Sequence, residues 1–239
     1  MAKGTVKNGN DGGMNGMIII SSTEGYDGTD TSAGELISFT EAVNFPVGTA
    51  VTFDITTPAS DSRDTPSTPT ASNIQQDSDV TGTVISANQS GNMTINANQT
   101  VTVNNNARLS GNVSLNGGSL YVTGGGSVNG NLNINGAGSV IVCDEGADVS
   151  GSNFIVGGAG ANTVLKIVNS TVNGRFSSSG IAKIKLIGNT HNGNVSSSGD
   201  GIAMIQNNTI SGNLSVTGAV SCQTSGNTVS GSINTPGCS

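Results

Sequence analysis

Short apolar runs, separated by Gly, Asn, Ser and Thr, fill the second half of the chain. Residues 120–122, 140–142, 164–167, 184–187 and 203–205 are each of strand length and too short for a helix. Between them recurs a Ser-Gly or Asn-Gly pair followed closely by an apolar residue. Its glycines are Gly91, Gly111, Gly130, Gly151, Gly174, Gly193, Gly212 and Gly231, near-evenly spaced and, over the last four, equally spaced. Later copies also carry an Asn and a Thr just ahead of the glycine, as in Asn169–Thr171, Asn208–Thr209 and Asn227–Thr228. One repeat therefore reads strand, turn, strand, Asn-turn, which predicts one coil of a parallel β-solenoid. A lone coil cannot bury its apolar side chains, whereas stacked coils pair each strand with its equivalent above and below. Stacking predicts an interior ladder of Val113, Leu132, Val195, Leu214 and Ile233, a turn ladder of Asn169, Asn189, Asn208 and Asn227, and a column of repeat glycines.

In period and pattern this half resembles parallel β-helix proteins, with about eight coils expected over residues 77–239. Composition agrees. Glycine takes 36 of 239 positions, charged residues are 10% and aromatics 3%, which excludes a helical bundle. Hydrophobic residues still reach 33%, so disorder is not compelled.

Residues 1–76 lack the repeat. They begin MAKGTVK and continue with Asn10, Asp11, Gly16 and Ile18, then ELISFTEAV over 35–43, VGTAVTFDIT over 47–56 and TASNI over 70–74. In this frame the segment resembles cold-shock proteins, which implies an OB-like five-stranded barrel, and the fold class expected for the whole chain is all-β. That family stacks bases on aromatic side chains, each worth ~1–3 kcal/mol. Here the corresponding positions hold Asn8, Gly9, Asn15 and Met17, then Ile37, Phe39 and Thr40, and Gly13 stands where a Lys is expected. Only Lys7 and Phe39 are left as candidate nucleic-acid contacts, so the resemblance favours a folding unit or docking module. Pro58, Pro66 and Pro69 mark a long loop before the last barrel strand, and the domain junction is expected near residues 75–80.

The net charge of −7, with eight scattered Lys and Arg, also disfavours a nucleic-acid partner. The longest apolar run near the N-terminus, residues 17–20, is far short of a secretory core or a membrane span.

Candidate chemistry is sparse. Asp144, Glu145 and Asp148 form one acidic cluster, a candidate cation site or, with a cation nearby, the carboxylates of a polysaccharide-active β-helix enzyme. Asp200 is isolated. His191, at a repeat corner, reads as solvated. Residues 157–165 resemble a single calcium-binding nonapeptide with Asn for Asp and read as a turn. Asn169 fits a glycosylation acceptor, but without a visible secretory signal it reads as a turn-ladder Asn. Of three cysteines, Cys222 and Cys238 are candidates for a disulfide, with inert thiols as the alternative.

The reading favoured by these features is a non-enzymatic structural or attachment protein without cofactors. It would be a β-solenoid displayed from a larger assembly, such as a virion, fibre or cell surface, self-associating as a trimer or filament. Two alternatives stand beside it: a carbohydrate-binding or carbohydrate-active β-helix, and a degenerate single-strand nucleic-acid-binding protein.

Overall fold

A computed structural model describes residues 2–8, 16–22, 35–39, 45, 48–56, 70–157 and 162–239, and no helix occurs among them. Gly9, Asn10, Asp11, Gly13, Asn15, Thr40, residues 41–43 and 47, the three loop prolines and residues 158–161 of the nonapeptide-like stretch lie outside the described residues. The chain divides into two compact units, Met1–Thr83 and Val84–Ser239.

The first unit is a closed five-stranded barrel of β1 (Ala2–Asn8), β2 (Gly16–Ser22), β3 (Leu36–Phe39), β4 (Ala50–Thr56) and β5 (Thr70–Gln76). The order around it is β1-β2-β3-β5-β4, with β3 parallel to β5 and the other pairs antiparallel. This is the OB-like barrel the sequence predicts. Period-two alternation sends Ile18 and Ile20, Ile37 and Phe39, and Val51 and Phe53 into one core. The strands close tightly around Gly4, where a Cβ would lie 2.4 Å from Ile18 Cγ2 and 2.6 Å from the Ile19 carbonyl oxygen.

The second unit is a parallel β-solenoid of about eight coils with three faces. The first face stacks Thr81–Ile85, Gln99–Val103, Ser119–Val122, Val140–Cys143, Val164–Val168, Lys183–Ile187, Ile202–Gln206 and Ser221–Ser225 in one eight-stranded sheet. A second face runs from Gln89–Ser90 through Arg108–Ser110 and Ser127–Asn129 to Thr190–Asn192, Thr209–Ile210 and Thr228–Val229. The third runs from Met93–Asn96 through Val113–Asn116 and Leu132–Gly136 to Val195–Ser198, Leu214–Thr217 and Ile233–Asn234. The long strands Asp148–Gly157 and Thr171–Ser179 serve both of these faces.

The predicted ladder forms in the register Met93, Val113, Leu132, Phe154, Phe176, Val195, Leu214, Ile233, interior from Val113 to Leu214, whereas Ile233, expected inside, is exposed because no coil stacks on it in the last rung. Phe154 and Phe176 occupy its middle with ring centroids 5.2 Å apart, filling the place where the repeat is longest, between Gly151 and Gly174. The glycine column also forms. A Cβ on Gly111 would sit 2.2 Å from the Gly91 carbonyl oxygen, on Gly130 2.1 Å from that of Gly111, and on Gly193 2.2 Å from that of Gly174. At this corner backbone rests on backbone, and no side chain fits.

The predicted Asn ladder is corrected by one residue at one end. Ser170 N–H donates to Asn189 Oδ1 (3.0 Å), Asn189 N–H to Asn208 Oδ1 (2.9 Å) and Asn208 N–H to Asn227 Oδ1 (2.9 Å). The Nδ2 groups of Asn189, Asn208 and Asn227 donate to the carbonyls of Ile167, Leu186 and Ile205. Asn169 is instead an exposed corner residue with φ +48°, in the same left-handed role as Gly188 and Asn207.

Candidate functional site

Phe39, a candidate for stacking a base, is completely buried in the barrel core. Its position is fixed by alternation along β3, which turns Ile37 and Phe39 inward and leaves Leu36 and Ser38 half-buried. A ring in the core offers no face to a base, and this corrects its candidacy. Lys7 is half-buried on β1. Lys3 is engaged by Asp77, with Nζ 3.0 Å from Oδ2 of that buried carboxylate.

The three acidic residues of the solenoid occupy different environments. Asp144 is buried beside the first-face strand, and Glu145 stands at the exposed corner with φ +52°, its Oε2 accepting from Thr123 Oγ1 at 2.9 Å. Asp148 opens a second-face strand, where its Oδ1 accepts from Ser150 Oγ at 2.5 Å and from Asn173 Nδ2 at 3.3 Å. Among the described residues no group of three His, Cys, Asp or Glu side chains is placed to hold a metal ion.

Two polar residues that read as solvated or isolated in sequence are interior, and each has a distinct solution. Asp200 is fully buried at the corner between third and first faces. Its Oδ2 accepts from Ser178 Oγ and Ser197 Oγ, each at 2.6 Å, and its Oδ1 from Ile181 N–H at 3.1 Å. Three donors to one carboxylate make a satisfied buried group that ties neighbouring coils together. His191 corrects the expectation of a solvated corner. It lies in the interior column between Val172 and Ile210, 1% exposed, with its ring edge-on to Phe176 at 6.1 Å. Neither ring nitrogen has a hydrogen-bond partner, and burial lowers its pKa to about 4.

Cys143 is a free thiol in the core, its pKa driven upward by burial first and by the neighbouring Asp144 charge second, so it is unreactive. Cys222 and Cys238 are joined by a disulfide. The residues after the last rung turn back, so that Thr224 N–H donates to Ser239 O, Ser239 N–H donates to Cys222 O, and Cys238 packs on the interior stack.

What sequence reasoning passed over is the outside of the second face. Thr171, Thr190, Thr209 and Thr228 stand in direct register on successive coils, and Asn173 and Asn192 form a second rank beside them. The signal was present as threonines recurring at the repeat interval, which read as part of a turn. The structure places them at outward positions of strands.

No family model matches the chain, and no curated protein or solved structure matches it.

Proposed function

We propose that the protein is a non-enzymatic structural or attachment protein in which the β-solenoid is a stiff display element and the OB-like barrel its docking module. The carrying observation is the continuous parallel stacking of about eight coils on all three faces. Polar investment in the solenoid goes into holding that register: Asn side chains bond backbone of the next coil, Asp200 gathers two serines and an amide, and a disulfide fastens the last coil. Such a stack, in which each coil is clamped by its neighbours, suits a load transmitted along an axis. The barrel is closed and five-stranded while its remaining candidate aromatic is internal, which supports docking over base stacking.

Light scattering and electron microscopy of the full chain, with turnover assays on polysaccharides and a gel shift with single-stranded DNA, test this reading. Homo-oligomers or filaments without turnover or shift are expected. Polysaccharide cleavage, or a salt-dependent shift, would overturn it.

A further inference from the structure

The outer side of the second face carries a regular lattice of hydroxyl and amide side chains. In the last four coils its first rank is Thr171, Thr190, Thr209 and Thr228, in register strand to strand. The last three of these are exposed. Two positions on, Asn173 and Asn192 pair, and Ser211 and Ser230 continue the rank, each held by its amide to the coil before. Neither rank contains an ionisable side chain.

The same coils provide an internal control. On the first face the outer row reads Lys166, Lys185, Met204, Gln223, in equally regular parallel pairing. Strand geometry alone therefore tolerates charge, thioether and amide at an outward position. Threonine nevertheless recurs four times on the second face, in the part of the chain where the repeat interval no longer varies.

Spacing identifies what such a lattice fits. Parallel strands repeat every ~4.8 Å, and outward residues along a strand every ~6.6 Å. Two O–H···O bonds of ~2.75 Å meeting at a tetrahedral oxygen hold their far ends about 4.5 Å apart. A water molecule can therefore bridge each pair of stacked threonine hydroxyls with nearly ideal tetrahedral geometry. The Asn side chains of the second rank are already committed, Asn192 Nδ2 to Asn173 Oδ1 at 2.5 Å and Asn173 Nδ2 to Ser150 Oγ at 3.0 Å, so they leave little for the directional contacts a sugar needs. The backbone beneath is fixed by the buried Asn ladder of the same coils, so ordering water on it costs the protein little conformational entropy.

We propose that the threonine rank of the last four coils binds tetrahedrally ordered water at the surface of ice. The ligand is a crystal plane, and the attachment is made by many weak, commensurate contacts acting together. This inference stands apart from the docking role of the barrel.

Thermal hysteresis and ice-crystal shaping by the full chain test it. Wild type is expected to show hysteresis and faceted crystals. Thr190→Lys and Thr209→Lys are expected to lose most of it, because a long cation interrupts the lattice; Lys185 shows that an outward strand position here accepts lysine. Ser196→Lys, on the third face, is expected to retain it, with circular dichroism checking the fold of every variant. Absence of hysteresis in wild type overturns the proposal, as does equal loss in Ser196→Lys. Retention on an insoluble polysaccharide without hysteresis also overturns it and assigns the face to a glycan.

Discussion

His191 gives the sharpest physical handle on the solenoid, because it is the chain's one histidine and both ring nitrogens are buried without partners. Burial favours the neutral ring and lowers the pKa from 6.5 to about 4. At ~1.4 kcal/mol per pH unit, that difference is worth about 3 kcal/mol of folding free energy. The sign follows from which state takes up the proton. Above pH 6.5 the ring is neutral in both the folded and unfolded chain, and titration contributes nothing. Between 6.5 and about 4 the unfolded chain binds a proton that the fold refuses, so stability falls as pH falls, and the loss is complete below about 4.

Replacing His191 by Ile removes this dependence and continues the apolar column of Val172 and Ile210. It also removes two unsatisfied buried nitrogens, so the variant is expected to be more stable already at pH 7.5, by about 1–3 kcal/mol. Urea unfolding of wild type and His191→Ile at pH 7.5, 6, 5 and 4 measures both effects, and the carboxylates common to the two proteins cancel in the difference. The stability gap should widen by about 3 kcal/mol from the highest to the lowest pH. A gap that stays constant, or an imidazole titrating near its ordinary value in the folded protein by NMR, would refute the reasoning.

Two further outcomes follow from the interior polar groups and the disulfide. Asp200→Ala strands two buried serine hydroxyls and the Ile181 amide and is expected to cost about 3 kcal/mol or more, read by thermal unfolding; a change under half of that would mean the carboxylate is dispensable to the corner. Cys238→Ser opens the disulfide that closes the C-terminal loop onto Cys222, worth about 3 kcal/mol on the loop-entropy account. Hydrogen exchange should speed up in Ser221–Ser225 and leave Val140–Cys143 unchanged, since each coil is clamped mainly by its neighbours.

The architecture was legible because a solenoid writes its period directly into the chain. The eight glycines, the ladder from Val113 to Ile233 and the outward threonines all follow from one interval. Where the sequence reading missed, side-chain polarity had outweighed position. Thr190, His191 and Asn192 align with Thr171, Val172 and Asn173, so His191 falls under Val172 and faces inward whatever its polarity. Asp200 likewise follows the third-face strand at the turn position of Ile181 and Ala219, a place that closes the core. Phe39 was misplaced because the cold-shock-like frame outweighed the plain alternation of Leu36 to Phe39, which alone sends it inside. Asn169 and Ser170 were confused by one residue, since an Asn suits both a left-handed corner and a ladder.

The polar interior and the threonine lattice lie in the same coils, and this couples them. His191 is flanked in its own strand by Thr190 and Asn192, so its inward ring and the outward lattice share one stretch of backbone. In a stack stabilised by nearest neighbours, opening at one rung removes the partner of the rungs on either side. Protonating His191 would therefore loosen Thr171, Thr190 and Thr209 together, and the commensurate spacing on which ordered water depends would go with them. Acid should abolish the binding of wild type at a pH where His191→Ile still binds, while a lattice that worked as isolated hydroxyls would lose contacts one at a time and show no such difference.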